Sequence, residues 1–317
     1  MSGMPTFIAR RIGSGLILLV ALTAVAYALV YSGSTNVAQK ILGDFATADQ
    51  IQAKAAELGV DRPLGVQYAD WLLHAVQGDL GRSWFTAEPV LEAVFSRLAV
   101  TASLVMLALA ATVVLSLLLG ITAARHRGGA ADRGLQLFAV AGEAVPNFWL
   151  ALVLVSTFAI SIPLFPATGF VPPTVSVGGW LLSLVLPVTA IVVGSVAGSA
   201  QQIRGAVIDV LQQDYIRTLR ARGLSERSIV LRHALRNAAP PALTVLSLQF
   251  IGMMSGAVLI ERVFALPGMG NLAVDATIQG DIPVVMGVLI SMAVIVVIVN
   301  LLVDIAAGWV NPKVSLA

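Results

Sequence analysis

The chain has no cysteine, only three lysines among its 317 residues, and 11% charged side chains. The first absence excludes a disulfide framework, a zinc–thiolate site and a thiol nucleophile. None of Lys40, Lys54 and Lys313 follows a glycine, so the GxxxxGK[ST] loop that cradles nucleotide phosphates is missing. His74, His126 and His233 are scattered and form no HExxH pair. These absences nominate no catalytic residue and no metal ligand. The shortage of charge excludes most: a water-facing surface needs about 25% charged residues. With 58% hydrophobic residues and a mean hydropathy of +0.91, much of this surface must face something other than water.

What is present in place of charge is long apolar runs, at residues 12–31, 98–124, 135–162, 180–200, 242–260 and 283–309. Each can cross a hydrocarbon core of about 30 Å as a helix rising about 1.5 Å per residue. The first follows Arg10 and Arg11, and Ala24, Val25 and Ala26 imitate a signal-peptide cleavage site. Its length is nearer 20 residues than the roughly 7–15 of a signal h-region, so a retained helix is expected. Residues 32–96 differ in being polar, mixed in charge and punctuated by glycine and proline. Thr47 and Gln50 suit a capping box, Gly59 a helix end, residues 67–76 a second helix, and Pro89 the approach to a third. The expected fold is all-α: a polytopic membrane protein with six transmembrane helices and a small extracytoplasmic helical insertion. It divides into an amino-terminal transmembrane helix (1–31), the insertion (32–96) and a transmembrane domain (97–309) whose cytoplasmic loop is 201–241.

Orientation follows from the bias of lysine and arginine toward cytoplasmic loops. With the amino terminus inside, the inner segments hold Arg10 and Arg11, then Arg125, Arg127 and Arg133, then seven arginines from Arg204 to Arg236, and Lys313 in the tail. The loop at 161–179 on the other side has no charge, and the one after residue 260 has Arg262 as its only base. The first outer loop has five basic residues offset by eight acids and counts for less because it is long. Both termini are thereby expected in the cytoplasm.

The loop reads DYIRTLRARGLSERSIVLRHALRN from 214 to 237. It is a short basic helix, a glycine that permits a turn, and a second amphipathic helix. Ser225 suits an N-cap with Glu226 favourably near the helix N-terminus. Ile229, Val230 and Ala234 can pack inward while Arg227, Arg232 and Arg236 point elsewhere. The residues alone leave open an interfacial helix on anionic lipid, arginines retained for topology, or a surface for a cytoplasmic partner.

The segment resembles the EAA loop of ABC importer permeases, and specifically the dipeptide/oligopeptide/nickel branch and its first, B-type, transmembrane subunit. The resemblance continues in IARR at 8–11, ELGVDRPL at 57–64, GDLGRS at 78–83, PNFW at 146–149, ERVFALPGMG at 261–270 and NLLVD at 300–304. The EAA triplet itself is replaced by Arg217, Thr218 and Leu219, and the usual Leu-Pro ending by Leu235 and Arg236, as suits the peptide branch. A P-G-D-P-like element usual after the first helix is absent near residues 32–37. The resemblance implies that Arg217, Arg220, Ala221, Arg222, Gly223, Leu224, Ser225 and Glu226 form the coupling segment. Gly223 makes the turn, Leu224 and Ser225 sit at the contact, and arginines such as Arg220 and Arg222 pair with acids on the ATPase. It further implies a second homologous permease, two ATP-binding subunits (separate or fused) carrying the ATP and magnesium, and an extracytoplasmic substrate-binding protein. This subunit would bind no cofactor and no nucleic acid, and would sit in the cytoplasmic membrane of a prokaryote.

Ionisable and amide side chains inside membrane helices are functional candidates. Glu143 lies one turn before Pro146, with Asn147 next; a proline there frees a carbonyl and can bend the helix toward a cavity. Glu143 can equally pair with Arg133 at the cytoplasmic interface. Asn300 and Asp304 share a helical face and suit a structural role. Glu261 and Arg262 are candidates for the outer mouth, facing a delivering protein or a peptide terminus, or bridging within their loop. The Gly194/Gly198 and Gly252/Gly256 spacings permit close helix contact, such as a two-permease interface. The competing class is an ion-coupled secondary transporter using Glu143 or Asp304, although no internal repeat accompanies it. Because the chain has no cysteine, Asp61→Cys is expected to react with a membrane-impermeant maleimide in intact spheroplasts. Arg127→Cys should react only after permeabilisation; the reverse pattern would invert the assigned orientation.

Overall fold

The structure, a computed structural model, describes residues 3–33 and 37–310, with backbone alone at 3–12, 32–33, 236, 238–241, 304 and 306–310. In chain order the α-helices are α1 (Gly3–Gly33), α2 (Val37–Leu42), α3 (Ala48–Leu58), α4 (Leu64–Val76), α5 (Val90–Arg125), α6 (Ala130–Ala144) and α7 (Asn147–Val155). They continue with α8 (Val177–Leu211), α9 (Asp214–Ala221), α10 (Glu226–Ser228), α11 (Leu235–Val263), α12 (Met269–Gln279) and α13 (Ile282–Val310). Wider π-helical turns, Ser156–Ser161 and Ile229–Ala234, extend α7 and link α10 to α11. Among the described residues the only β pairing is one antiparallel bridge, Arg82 with Pro89.

Local chemistry accounts for the ends. The Thr47 side chain accepts from the Gln50 N–H and the Gln50 side chain accepts from the Thr47 N–H, the reciprocal box that starts α3. Gly59 ends it at φ 70°, a conformation glycine adopts without Cβ strain. Helix α4 begins at Leu64, earlier than residue 67, because Pro63 already holds a φ of −56° ahead of the first turn.

Among the described residues five helices are long and apolar enough to cross a membrane, and α6 with Asn147–Ser161, a pair bent by 91°, makes a sixth if the pair is one broken span. The run at 135–162, expected as one helix, is therefore broken. Pro146 has no N–H to continue the helix, and its ring pushes Val145 into an extended conformation at φ −92°, ψ 117°.

The backbone divides into two compact units. One contains residues 101–266 and 298–310. Here α8 packs against α6, α7 and α11. Small residues allow the approach: a Cβ on Gly120 would stand 2.7 Å from the Ala200 carbonyl oxygen, and one on Gly142 2.7 Å from the Ala197 Cβ. Ile203, Val207 and Ile208 form a core with Ala124. Asp132, 2% exposed, receives Nε–H and Nη2–H of Arg204, the N–H of Gly128 and the amide of Gln136. A carboxylate buried this way is held by charge-assisted bonds to a planar fork.

The other unit contains residues 5–100 and 267–297, so the insertion shares its core with α12 and the start of α13. Val90, Val94, Met269, Val285 and Val288 are central to it. Buried Asp281 accepts from the Ser83 hydroxyl at 2.6 Å and the Trp84 N–H at 3.3 Å. The Ser83 oxygen in turn accepts from the N–H groups of Phe85 and Thr86. Tyr27, Tyr68 and Trp71 form an aromatic cluster, and Lys40 donates to the carbonyls of Ile278 and Gln279 at the C-terminal end of α12. Gly287 is where helices meet most tightly: a Cβ there would lie 2.2 Å from Val90 Cγ1. Gly287→Ala is expected to cost about 1–3 kcal/mol through overpacking. Thermal unfolding in detergent should show that loss, and Val90→Ala in the same molecule should recover part of it.

Candidate functional site

The loop between α8 and α11 is built as a rigid bracket. Helix α9 buries Ile216 and exposes Arg217, which lies 3.5 Å from the Asp214 carboxylate on the same face. Ala221 ends α9, exposed Arg222 follows, and Gly223 turns the chain at φ 79°. Nothing would touch a Cβ on Gly223 within 4 Å, so the backbone conformation, and not space, is what requires glycine there. Leu224 is half-buried and its N–H donates to the Leu219 carbonyl, closing the turn. Ser225 then caps the next helix, accepting from the Ser228 N–H. Ile229, Val230 and Ala234 are each at most 1% exposed and root the second arm in its unit.

Across the turn Arg220 grips Glu226 with two bonds, Nε–H to Oε1 at 2.6 Å and Nη2–H to Oε2 at 3.2 Å. That hydrogen-bonded guanidinium holds the Glu226 carboxyl below the usual carboxylate range, with Arg125 adding a weaker pull. Arg220 is thus engaged inside the loop, while Arg222 and Arg227 are exposed with no ion pair among the described residues. Asn237 donates to the Tyr215 hydroxyl at 2.8 Å and joins the two arms.

A second polar feature lies at the Pro146 break. Glu143, Asn147, Ser195 and Gln249 line a cavity of about 360 Å³ with glycines 142, 194 and 252. Glu143 is exposed to it and forms no ion pair with Arg133. The Gly194/Gly198 spacing on α8 faces side chains of this same chain, Asn147 and Glu143.

The remaining candidates stand apart. Asn300 accepts from the Ser247 hydroxyl, and Asp304 lies in α13 with its side chain outside the described residues. Glu261 is fully buried and accepts from the Thr101 hydroxyl at 2.6 Å, while Arg262 is exposed. Three side chains escape sequence reasoning in their tertiary roles. Gln249 gives no local signal, being one amide in an apolar run. Asp132 and Arg204 are 72 residues apart, and only the meeting of α6 with α8 pairs them. Among the described residues no three His, Asp or Glu side chains converge as a metal site.

Residues 116–316 match the family described as binding-protein-dependent transport system inner membrane component. Residues 4–105 match the corresponding membrane component amino-terminal family. The chain is 38% identical over 258 residues to the dipeptide transport system permease protein DppB of Bacillus subtilis, covering 81% of each. It is 34% identical over 334 aligned positions to the di/tripeptide transport system permease protein DppB of Pseudomonas aeruginosa, covering 98% of this chain and 99% of that one. In fold it is similar to a chain of the MetNI methionine ABC transporter in an inward-facing conformation, with a TM-score of 0.58 and 16% identity. That likeness covers 71% of this chain and 100% of the other.

The bracket geometry makes a local prediction. Removing the Ser225 cap with Ser225→Ala should cost about 1 kcal/mol, read as roughly fivefold faster hydrogen exchange at Ser228 and Ile229. Because Glu226 is held in its charged form, its clasp with Arg220 is present at neutral pH. It should loosen only as the pH falls through a value below the ordinary glutamate range. In Arg220→Ala that pH sensitivity should disappear.

Proposed function

This chain belongs to the binding-protein-dependent transport system inner membrane component family of ABC importer permeases, and on that premise we propose that it imports short peptides as one half of a permease pair. Two ATP-hydrolysing subunits, or one fused pair, bind its cytoplasmic loop, and an extracytoplasmic binding protein delivers the substrate. The peptide assignment draws on the names of the relatives, which are permeases of dipeptide and di/tripeptide transport systems. The chain itself contributes the path and the mechanical coupling; hydrolysis belongs to the partners. The site of action is the cytoplasmic membrane of a prokaryote, with both termini inside.

The observation that carries the coupling role is the bracket at Arg217–Glu226. A contact segment that transmits force must present exposed groups to its partner and be anchored at both ends. Arg217, Arg222 and Arg227 are exposed, and the loop as a whole is basic, which favours an acidic groove. Ile216 on one arm and Ile229, Val230 and Ala234 on the other are buried, so displacing the turn displaces α8 and α11 with it. Closure of the ATPases on ATP then changes the tilt of the helix bundles, which is how rigid-body motion gives alternating access.

Gly223→Asp tests this reading. An aspartate at φ 79° is strained by about 1 kcal/mol or more and places negative charge on a surface proposed to meet acids. The expected result is loss of peptide uptake at unchanged permease level in the membrane, with ATP hydrolysis by the complex no longer stimulated by loaded binding protein. Normal, ATP-dependent uptake by this variant would sink the coupling assignment. Uptake that needs no ATPase and stops when the proton gradient is collapsed would replace it with an ion-coupled transporter.

A further inference from the structure

The break at Pro146 leaves acceptors converging on one cavity. Helix α6 ends at Ala144, and the residue four beyond Gly142 is Pro146, which has no N–H to offer the Gly142 carbonyl. Next to it the Glu143 carboxylate faces the cavity and, among the described residues, has no hydrogen bond or ion pair. On the facing helix a Cβ at Gly194 would stand 3.0 Å from Asn147 Oδ1 and 3.4 Å from the Gly142 carbonyl oxygen, so both oxygens lie against Gly194. A Cβ at Gly198 would stand 2.8 Å from Glu143 Oε1 and 3.8 Å from Gln249 Nε2. Glycine at both positions lets α8 approach these oxygens, and no basic side chain lines the cavity.

A single carboxylate, an orphaned carbonyl and the Asn147 amide oxygen, without a cation of their own, form a receptor for positive charge. The donor set selects among cations. One carboxylate with neutral oxygens is a weak holder for a divalent metal, which takes several oxygen ligands at short, uniform distances. A primary ammonium has three N–H donors that diverge, matching Glu143, the Gly142 carbonyl and the Asn147 amide oxygen. About 360 Å³ is far more than one ion needs and is within the range of small-molecule sites.

We propose that this cavity binds the free α-ammonium group of a peptide in transit, with Glu143 as its counter-ion and the Gly142 carbonyl and Asn147 amide as further acceptors. The assignment of the ammonium to a peptide rests on the import reading above; the cation site rests on the cavity. Its consequence is selectivity: a peptide with a blocked amino terminus buries its amide against an unpaired carboxylate and is disfavoured.

The test uses the absence of cysteine. A Cβ at Gly252 meets nothing within 4 Å, so Gly252→Cys places a thiol on the cavity wall without crowding. The full chain with this reporter, in lipid nanodiscs, is labelled with a maleimide in the presence of alanyl-alanine amide or its neutral N-acetyl form. The free-amine peptide is expected to slow labelling roughly tenfold, the scale of one charge-assisted hydrogen bond, and the acetylated peptide to leave it unchanged. Glu143→Gln should abolish the difference, while Glu143→Asp retains part of it. Equal slowing by both peptides, slowing undiminished in Glu143→Gln, or slowing by neither overturns the proposal, as does equal protection by potassium chloride. The assay needs no transport, so the two readings fail separately. Protection in a complex that imports no peptide would refute import and keep the cation site. Peptide import without Glu143-dependent protection would refute the site alone.

Discussion

A peptide group surrounded by hydrocarbon has no water to bond, and nearly every feature of this chain answers that constraint. A helix satisfies its own backbone, so the apolar runs become helices and the described residues contain no strand. Non-helical backbone at membrane depth is tolerated only where protein or a water-filled cavity covers it. The break at Val145 and Pro146 fits this rule: its loose ends open into a cavity walled by α8 and α11 and lined with amides. The residue that breaks the helix thus also creates the polar cavity beside it.

The same constraint explains why the buried carboxylates within each unit are held by donors. Asp132 with Arg204, Thr101 with Glu261, and Ser83 with Asp281 each join segments at least 72 residues apart. A carboxylate removed from water is costly unless donors surround it, and these three have them. Pairs of this kind contribute register more than raw stability, because a slipped helix would strand the charge. Glu143 differs from these carboxylates in being exposed, beside the cavity, with no hydrogen bond or ion pair among the described residues.

In water the rules are different, and the loop between α8 and α11 shows it. Here the charges are numerous, the turn is set by Gly223, and stiffness comes from capping, the Arg220–Glu226 clasp and the Asn237–Tyr215 bond. Apolar residues fix both arms while arginines remain on the outside. The coupling role proposed above rests on this anchored, charged bracket.

Much of this was legible in the residues. Hydrophobic run length determined the all-α membrane fold, because crossing a bilayer leaves a helix little alternative. Local hydrogen bonding determined the Thr47/Gln50 box, the Gly59 end, the Gly223 turn and the Ser225 cap, since each involves neighbours within four residues. Tertiary structure alone decided the rest: that residues 135–162 break by 91° instead of bending, that Met269–Gln279 is a helix, and that Arg220 turns back to Glu226. It also decided that Asp132 meets Arg204 and that Gln249 shares a cavity with Glu143. The physical reason is range. Helix propensity and capping act over one turn and can be read from adjacent letters. A contact across many tens of residues depends on how helices pack, and a lone Gln or Asp has the same local signature wherever its partner lies.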